Sequence, residues 1–231
     1  MLYDQLKDVE YPHYDFVYES RDNTVNEVTK LISETKIEGF LNFFQFLVDD
    51  MLFFREVNIP EILKILETYR DKVYTAHLKL HPGINYSHTT DRMIARMPTF
   101  HPLECRTNYL IYDRTESELD WNYPFDFCGS IYLLDRVTKV IESVEEREKI
   151  RKPNMFEFIG NKAIKTKNLA SQNKFCLCLN IPVMTVITVN KVQDVYETPI
   201  YSTFTESDCL EFMNQCMRDR KALAIDNYYS R

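Results

Sequence analysis

The sequence predicts an α/β protein, and three observations predict it. Short runs rich in apolar, aromatic and β-branched residues recur along the chain: Phe43 to Val48 (FFQFLV), Val73 to Leu80 (VYTAHLKL) and Pro182 to Val189 (PVMTVITV). Between them lie segments whose apolar residues repeat every three or four positions, the period of a helix with one buried face. No internal repeat and no Gly-, Pro- or Ser-rich linker divides the chain, so residues 1–231 read as a single domain.

The elements follow in order. Tyr14 to Tyr18 (YDFVY) reads as a short strand. Val25, Val28, Leu31 and Ile32 have helical spacing, and Thr24 with Glu27 has the form of a capping box. After Gly39 comes the window 43–48, the most apolar of the chain, read as a buried strand that runs directly into Asp49 and Asp50. Pro60 opens a second helix, since its missing N–H is not needed in a first turn, and Ile62, Ile65, Leu66 and Tyr69 form its inner face. Strict alternation in 73–80 would place Tyr74, Ala76, Leu78 and Leu80 on one side. His81-Pro82-Gly83 is a turn, residues 84–107 show no period, and Asn108 to Tyr112 reads as a strand. Residues 121–129 are loop-like and 130–134 extended. Asp135 is a suitable N-cap for a helix running to about Ile150, with Glu142, Glu145, Glu146 and Glu148 on its solvated side. Lys152-Pro153 stops it and Asn154 starts another. Cys176 and Cys178 would share one face of a strand. Thr205 caps a last amphipathic helix carrying Leu210, Met213, Cys216 and Met217.

Composition removes several classes of function. With 45% apolar and 27% charged residues, the chain has the mixture of a folded protein. Four glycines cannot furnish a glycine-rich phosphate loop of the P-loop or dinucleotide-binding kind. A net charge of −7 opposes sequence-independent nucleic-acid binding, so no nucleic-acid partner is expected. The six cysteines form no CxxC pair and read as buried thiols, as in a reducing compartment. The N-terminus is polar and acidic, unlike a signal peptide, and no apolar run approaches the roughly 20 residues of a membrane span. A cytoplasmic protein without a transmembrane segment is the expectation.

Three segments could carry chemistry. In FLVDDMLFF, Asp49 and Asp50 end one apolar run and begin another. A carboxylate there needs compensation, which a divalent cation such as Mg²⁺ or Mn²⁺ supplies; equally, both acids could sit at a solvated strand end. In DWNYPFDFCG, the single tryptophan, Trp121, stands with Tyr123, Asp126 and Gly129. Aromatic faces with polar rims suit stacking on a sugar or base, and aromatics also anchor loops by packing. In PNMFE, Glu157 is either the N3 member of a capping box begun by Asn154 or a general base facing a pocket. The five histidines lack metal-ligand spacing; His81 and His88 flank the 82–83 turn, where a phosphate or plain solvent could meet them.

Taken in order, FLVDDMLFF, then DWNYPFDFCGSIY about 70 residues on, then PNMFE, resemble glycosyltransferases of the GT-A fold, family 2-like, which carry a DxD-type metal motif at a strand end. The resemblance covers roughly residues 40 to 200. It implies a three-layer α/β sandwich with a mixed central sheet and transfer of a sugar from a nucleotide-sugar donor to a hydroxyl acceptor. It implies Asp50 and Asp49 as cofactor-binding residues holding Mn²⁺ or Mg²⁺. It implies Trp121, Tyr123 and Gly129 at the acceptor side, and Asp126 or Glu157 as catalytic base. The first acid of a full DxD is replaced by Val48, no histidine follows His101, and 48 residues precede the acid pair, which implies a shortened nucleotide-binding half. The alternative function is a non-catalytic carbohydrate-binding or scaffold protein on the same fold; a phosphoester hydrolase using the acid pair is a third.

Overall fold

A computed structural model of the chain describes residues 24–36, 42–48, 50–104 and 106–186, with Glu211 and Gln215 as isolated positions. The expected strand at 14–18 and the helix after Thr205, with its inner-face residues, lie outside the described residues, as does Asp49.

Helix α1 spans Thr24–Lys36, α2 Ile59–Thr68, α3 Leu134–Ser143 and α4 Pro153–Thr166. The strands are β1 Phe43–Gln45, β2 Met51–Phe53, β3 Val73–His77, β4 Tyr86–Ser87, β5 Arg92–Met93, β6 Phe100–Leu103, β7 Arg106–Asp113, β8 Ser130–Leu133, β9 Phe175–Leu179 and β10 Met184–Val186. Six of them form a mixed sheet in the order β1-β8-β3-β9-β7-β6, in which only the β3–β9 pair is parallel. The expected α/β class with a mixed central sheet is what the chain adopts.

Side-chain alternation builds a layer on each face. Tyr74, Leu110, Tyr112, Tyr132, Cys176 and Cys178 point to one side, against Val25 and Ile32 of α1, Val137, Val140 and Ile141 of α3, and Phe156 and Ile164 of α4. Val73, Ala76, Ile131, Leu177 and Leu179 point to the other, against Ile62, Ile65 and Leu66 of α2 and Met184 of β10. Cys176 and Cys178 do share a face, as buried thiols.

Local chemistry explains the helix starts. Asn58 caps α2 by accepting from the Glu61 N–H, with Pro60 in the first turn. Pro153 begins α4 for the same reason. Thr24 opens α1 and donates its hydroxyl to the Arg151 carbonyl oxygen, tying α1 to the segment before α4.

Several expectations change. The window 43–48 is not a buried strand: β1 covers Phe43–Gln45, is half-buried, and among the described residues pairs with β8 alone. Residues 84–107 are not irregular throughout but hold the β4–β5 hairpin and β6. Helix α3 starts one residue before Asp135 and stops at Ser143; Val144 is extended and Glu146 left-handed (φ 50°), which returns Val144 and Ile150 to the core. Of the strand expected over 182–189, Met184–Val186 form β10, paired with β2 outside the main sheet, and residues 187–189 lie outside the described residues.

Strand β3 departs most informatively. It carries one residue more than β9 between Val73 and Ala76, a bulge. Val73 and Ala76 therefore face the same layer while Tyr74 faces the other, and the expected common side for Tyr74 and Ala76 does not form.

Candidate active site

The polar centre lies where β3 ends and β8 begins. His77, the last residue of β3, pairs in register with Ser130, the first of β8. The bulge upstream turns His77, and Lys79 beyond it, toward the layer that holds α4 and the 120–129 loop. Both meet Asp126 of that loop: Lys79 Nζ is 2.9 Å from Asp126 Oδ2, and His77 Nδ1 is 4.0 Å from the same oxygen and 2.8 Å from Ser130 Oγ. Asp120 Oδ1 stands 4.0 Å from Lys79.

The loop is held from three directions. Tyr132 of β8 accepts the Asp126 N–H at 2.7 Å and donates its hydroxyl to the Asp126 carbonyl oxygen at 2.9 Å. Asp126 Oδ1 accepts the Cys128 N–H at 2.9 Å. From α4, Asn161 exchanges two hydrogen bonds with the Phe125 backbone, and one turn earlier Glu157 Oε2 accepts the Phe127 N–H at 3.1 Å. Phe127 stacks on Phe46 from the end of β1, with ring centroids 3.9 Å apart. Gly129 closes the loop at φ +83°, a conformation side chains rarely adopt, and its N–H bonds the Phe46 carbonyl oxygen.

Burial and charge set the protonation states. Burial by itself would raise Asp126, but the Lys79 charge and the hydrogen bonds from Lys79 and the Cys128 N–H outweigh it, so the carboxyl ionises below its ordinary value. Burial would likewise lower Lys79, yet Asp126 holds it well above its ordinary value. Burial pushes His77 down to about 4 despite Asp126, leaving a neutral imidazole whose contact with Asp126 is not an ion pair. Glu157 is the reverse case. Burial, then the adjacent Asp126 charge, push it up to about 8, while Lys79, the Phe127 N–H and a Tyr123 hydrogen bond only partly oppose them. Two neighbouring carboxyls thus occupy opposite protonation states near neutral pH, the pattern that separates a proton-exchanging group from a fixed charge.

The structure therefore brings Tyr123, Asp126, Gly129 and Glu157 into one assembly. Asn154 and Glu157 do not make a capping box: Lys152 occupies the N-cap of α4, and Glu157 turns to the loop. Asp50 sits in the turn before β2, close enough to Cys128 to add to the rise that burial imposes on that thiol. Trp121 is placed differently. It is fully buried, donates its indole N–H to the Ile84 carbonyl oxygen at 3.0 Å, and meets Phe100 and Tyr112 edge-on at centroid distances of 5.1 and 5.0 Å. Its ring is part of the core beneath the loop and offers no face for stacking. His77, Lys79 and Ser130 were not indicated by motif, whereas Asp120 opens the DWNYPFDFCG segment. The signal was polar residues two apart, His77 and Lys79, within an otherwise apolar run.

Among the described residues no group of three or more His, Cys, Asp or Glu is arranged to hold a metal ion. Nor is any helix among them long and apolar enough to cross a membrane.

The chain is similar to the bifunctional glycosyltransferase pgtA of Dictyostelium discoideum, with 31% identity over 231 aligned positions covering 94% of this chain. It spans 29% of that relative's length. No protein-family model and no solved structure matches.

Proposed function

We propose that this chain is a glycosyltransferase of GT-A type that moves a sugar from a nucleotide-sugar to a hydroxyl acceptor. The observation that carries the reading is the 31% identity, sustained over 94% of the chain, to a protein named as a glycosyltransferase. The position of the polar cluster supports it. The cluster lies outside the carboxyl end of β3, where open α/β sheets bind ligands.

In this reading Glu157 is the catalytic base. Its ionised form, whose share grows as pH rises toward 8, accepts the proton of the acceptor hydroxyl as that oxygen attacks the sugar's anomeric carbon and the nucleoside diphosphate departs. A base with its pKa pushed up to about 8 is matched to proton transfer near neutral pH. Asp126, buried and engaged through both oxygens by Lys79 and the Cys128 N–H, serves as the fixed charge beside it. Tyr123, half-buried and bonded to Glu157, borders the acceptor.

Asp50 offers carboxylate oxygen in a partly buried turn at the edge of the same loop, a donor suited to Mg²⁺ or Mn²⁺, which bind through one or two carboxylates together with phosphates and water. Asp50, with Asp49 beside it in sequence, would hold the ion. When bound, the ion would neutralise charge on the diphosphate leaving group.

The test is release of nucleoside diphosphate from a panel of nucleotide-sugars, with and without Mn²⁺. At least one donor should be turned over by the native protein, with Glu157→Gln losing turnover but still binding donor and Asp50→Asn losing metal-dependent donor binding. A folded protein that binds no nucleotide-sugar in calorimetry, with or without Mn²⁺, would refute the reading. Sugar binding without donor binding would point to a carbohydrate-binding protein instead.

A further inference from the structure

Lys79 has no counterpart among the residues assigned so far. Its ammonium is 2.9 Å from Asp126 Oδ2 and 4.0 Å from Asp120 Oδ1, and its side chain remains 23% exposed, so it connects a buried carboxylate to the site's outer edge. Asp126 is 4% exposed at the side chain, and its remaining polar atoms are committed to Cys128 and Tyr132. Without Lys79, this carboxylate would be a buried anion facing a neutral His77 and a neighbouring carboxyl. Such an anion protonates or pulls away. Either outcome loosens the loop whose Phe127 N–H holds Glu157 in place.

We propose that Lys79 is a positioning residue: by pinning Asp126 as a permanent carboxylate it keeps the 120–129 loop seated on α4 and leaves Glu157 as the member of the pair that exchanges its proton. The groups around this pair are Lys79 and His77 from β3 and its extension, Asp120, Tyr123 and Cys128 from the loop, Tyr132 from β8, and Asp50 facing Cys128. Lys79 is the cation that acts on both carboxyls. The proposal rests on the glycosyl-transfer reading for its meaning in turnover, whereas the proton exchange itself is measurable without substrate.

The experiment is carboxyl-carbon NMR titration of the full chain, ¹³C-labelled at Asp and Glu, for the native protein, Lys79→Met and Lys79→Arg, beside the pH profile of donor turnover. In Lys79→Met the last proton of the Asp126–Glu157 pair should leave about one pH unit higher or more, because an attractive charge is gone from both members. Lys79→Arg should titrate like the native protein and recover most of its turnover. Should Lys79→Met fail to fold, Asp126→Asn reads the same coupling from the other side: with the neighbouring charge removed, Glu157 should titrate lower. A last proton that does not move in folded Lys79→Met, or a Glu157 that does not move in Asp126→Asn, overturns the proposal. Shifts as stated in a protein that turns over no nucleotide-sugar support the placement of Lys79 and sink the glycosyl-transfer reading.

Discussion

Glu157 makes the stability of the fold depend on pH in a direction opposite to most carboxylates. Its carboxyl has an ordinary value of 4.5 and is pushed up to about 8 in the folded chain. Between those values the folded state holds a proton that the unfolded chain has released. Stability from this group is therefore complete below about pH 4.5 and is lost as pH rises through about 8. Each pH unit in that window costs about 1.4 kcal/mol, an upper limit of about 4–5 kcal/mol across it. Asp126 has the opposite sign: its depressed value stabilises the fold above its ordinary 3.8 and that contribution disappears on acidification. Glu157→Gln isolates the first effect, since the amide oxygen can still accept the Phe127 N–H. Urea unfolding of native and variant proteins from pH 5 to pH 9 should show the variant gaining on the native protein as pH rises, then levelling off. A difference constant across that range would refute the burial-and-charge account of Glu157.

Three further outcomes follow from packing. Trp121→Ala should destabilise the chain by about 3–5 kcal/mol in urea unfolding, and Trp121→Phe by less, since the latter keeps much of the ring packing and loses the bond to Ile84. Gly160 lies under Phe125, where a Cβ would stand 2.5 Å from the ring; Gly160→Ala should cost about 1–3 kcal/mol by thermal unfolding and, by lifting the loop, reduce donor turnover more than donor binding. Arg136, 8% exposed, donates to Asn173 Oδ1 and to the Arg70 carbonyl oxygen, both at 2.6 Å. Arg136→Met leaves that carbonyl with one donor, Asn173, and should cost about 1–3 kcal/mol, measured as a fall in the denaturation midpoint.

Much of this architecture was legible in the chain because it depends on local rules. Pro60 and Pro153 mark helix starts by the chemistry of their own backbone, and the apolar spacing of 62, 65 and 66 identifies a buried face without knowledge of what covers it. The odd composition of 120–129 flagged the loop, and within it Tyr123 and Asp126 do meet Glu157 at the polar centre, while Gly129 closes the loop against Met184. What stayed hidden depends on distant partners. Trp121 was eligible for a binding face until Ile84, Phe100 and Tyr112 enclosed it, and none of those is near in sequence. Glu157 satisfied the spacing of a helix cap, and only the approach of Phe127 from 30 residues away gives it another partner. Lys79 and His77 escaped notice because face assignment along β3 presumes unbroken alternation, and the bulge has no glycine or proline to announce it.

That one spare residue governs how the strand tolerates changes in length. Loss of a residue from the Val73–Ala76 stretch would iron the strand flat while every flanking side chain kept its present layer. Loss of Leu78, just past the strand, would instead hand Lys79 to the layer of α2. The segment thus contains a buffer against shortening on one side and none on the other, and the site stands on the unbuffered side.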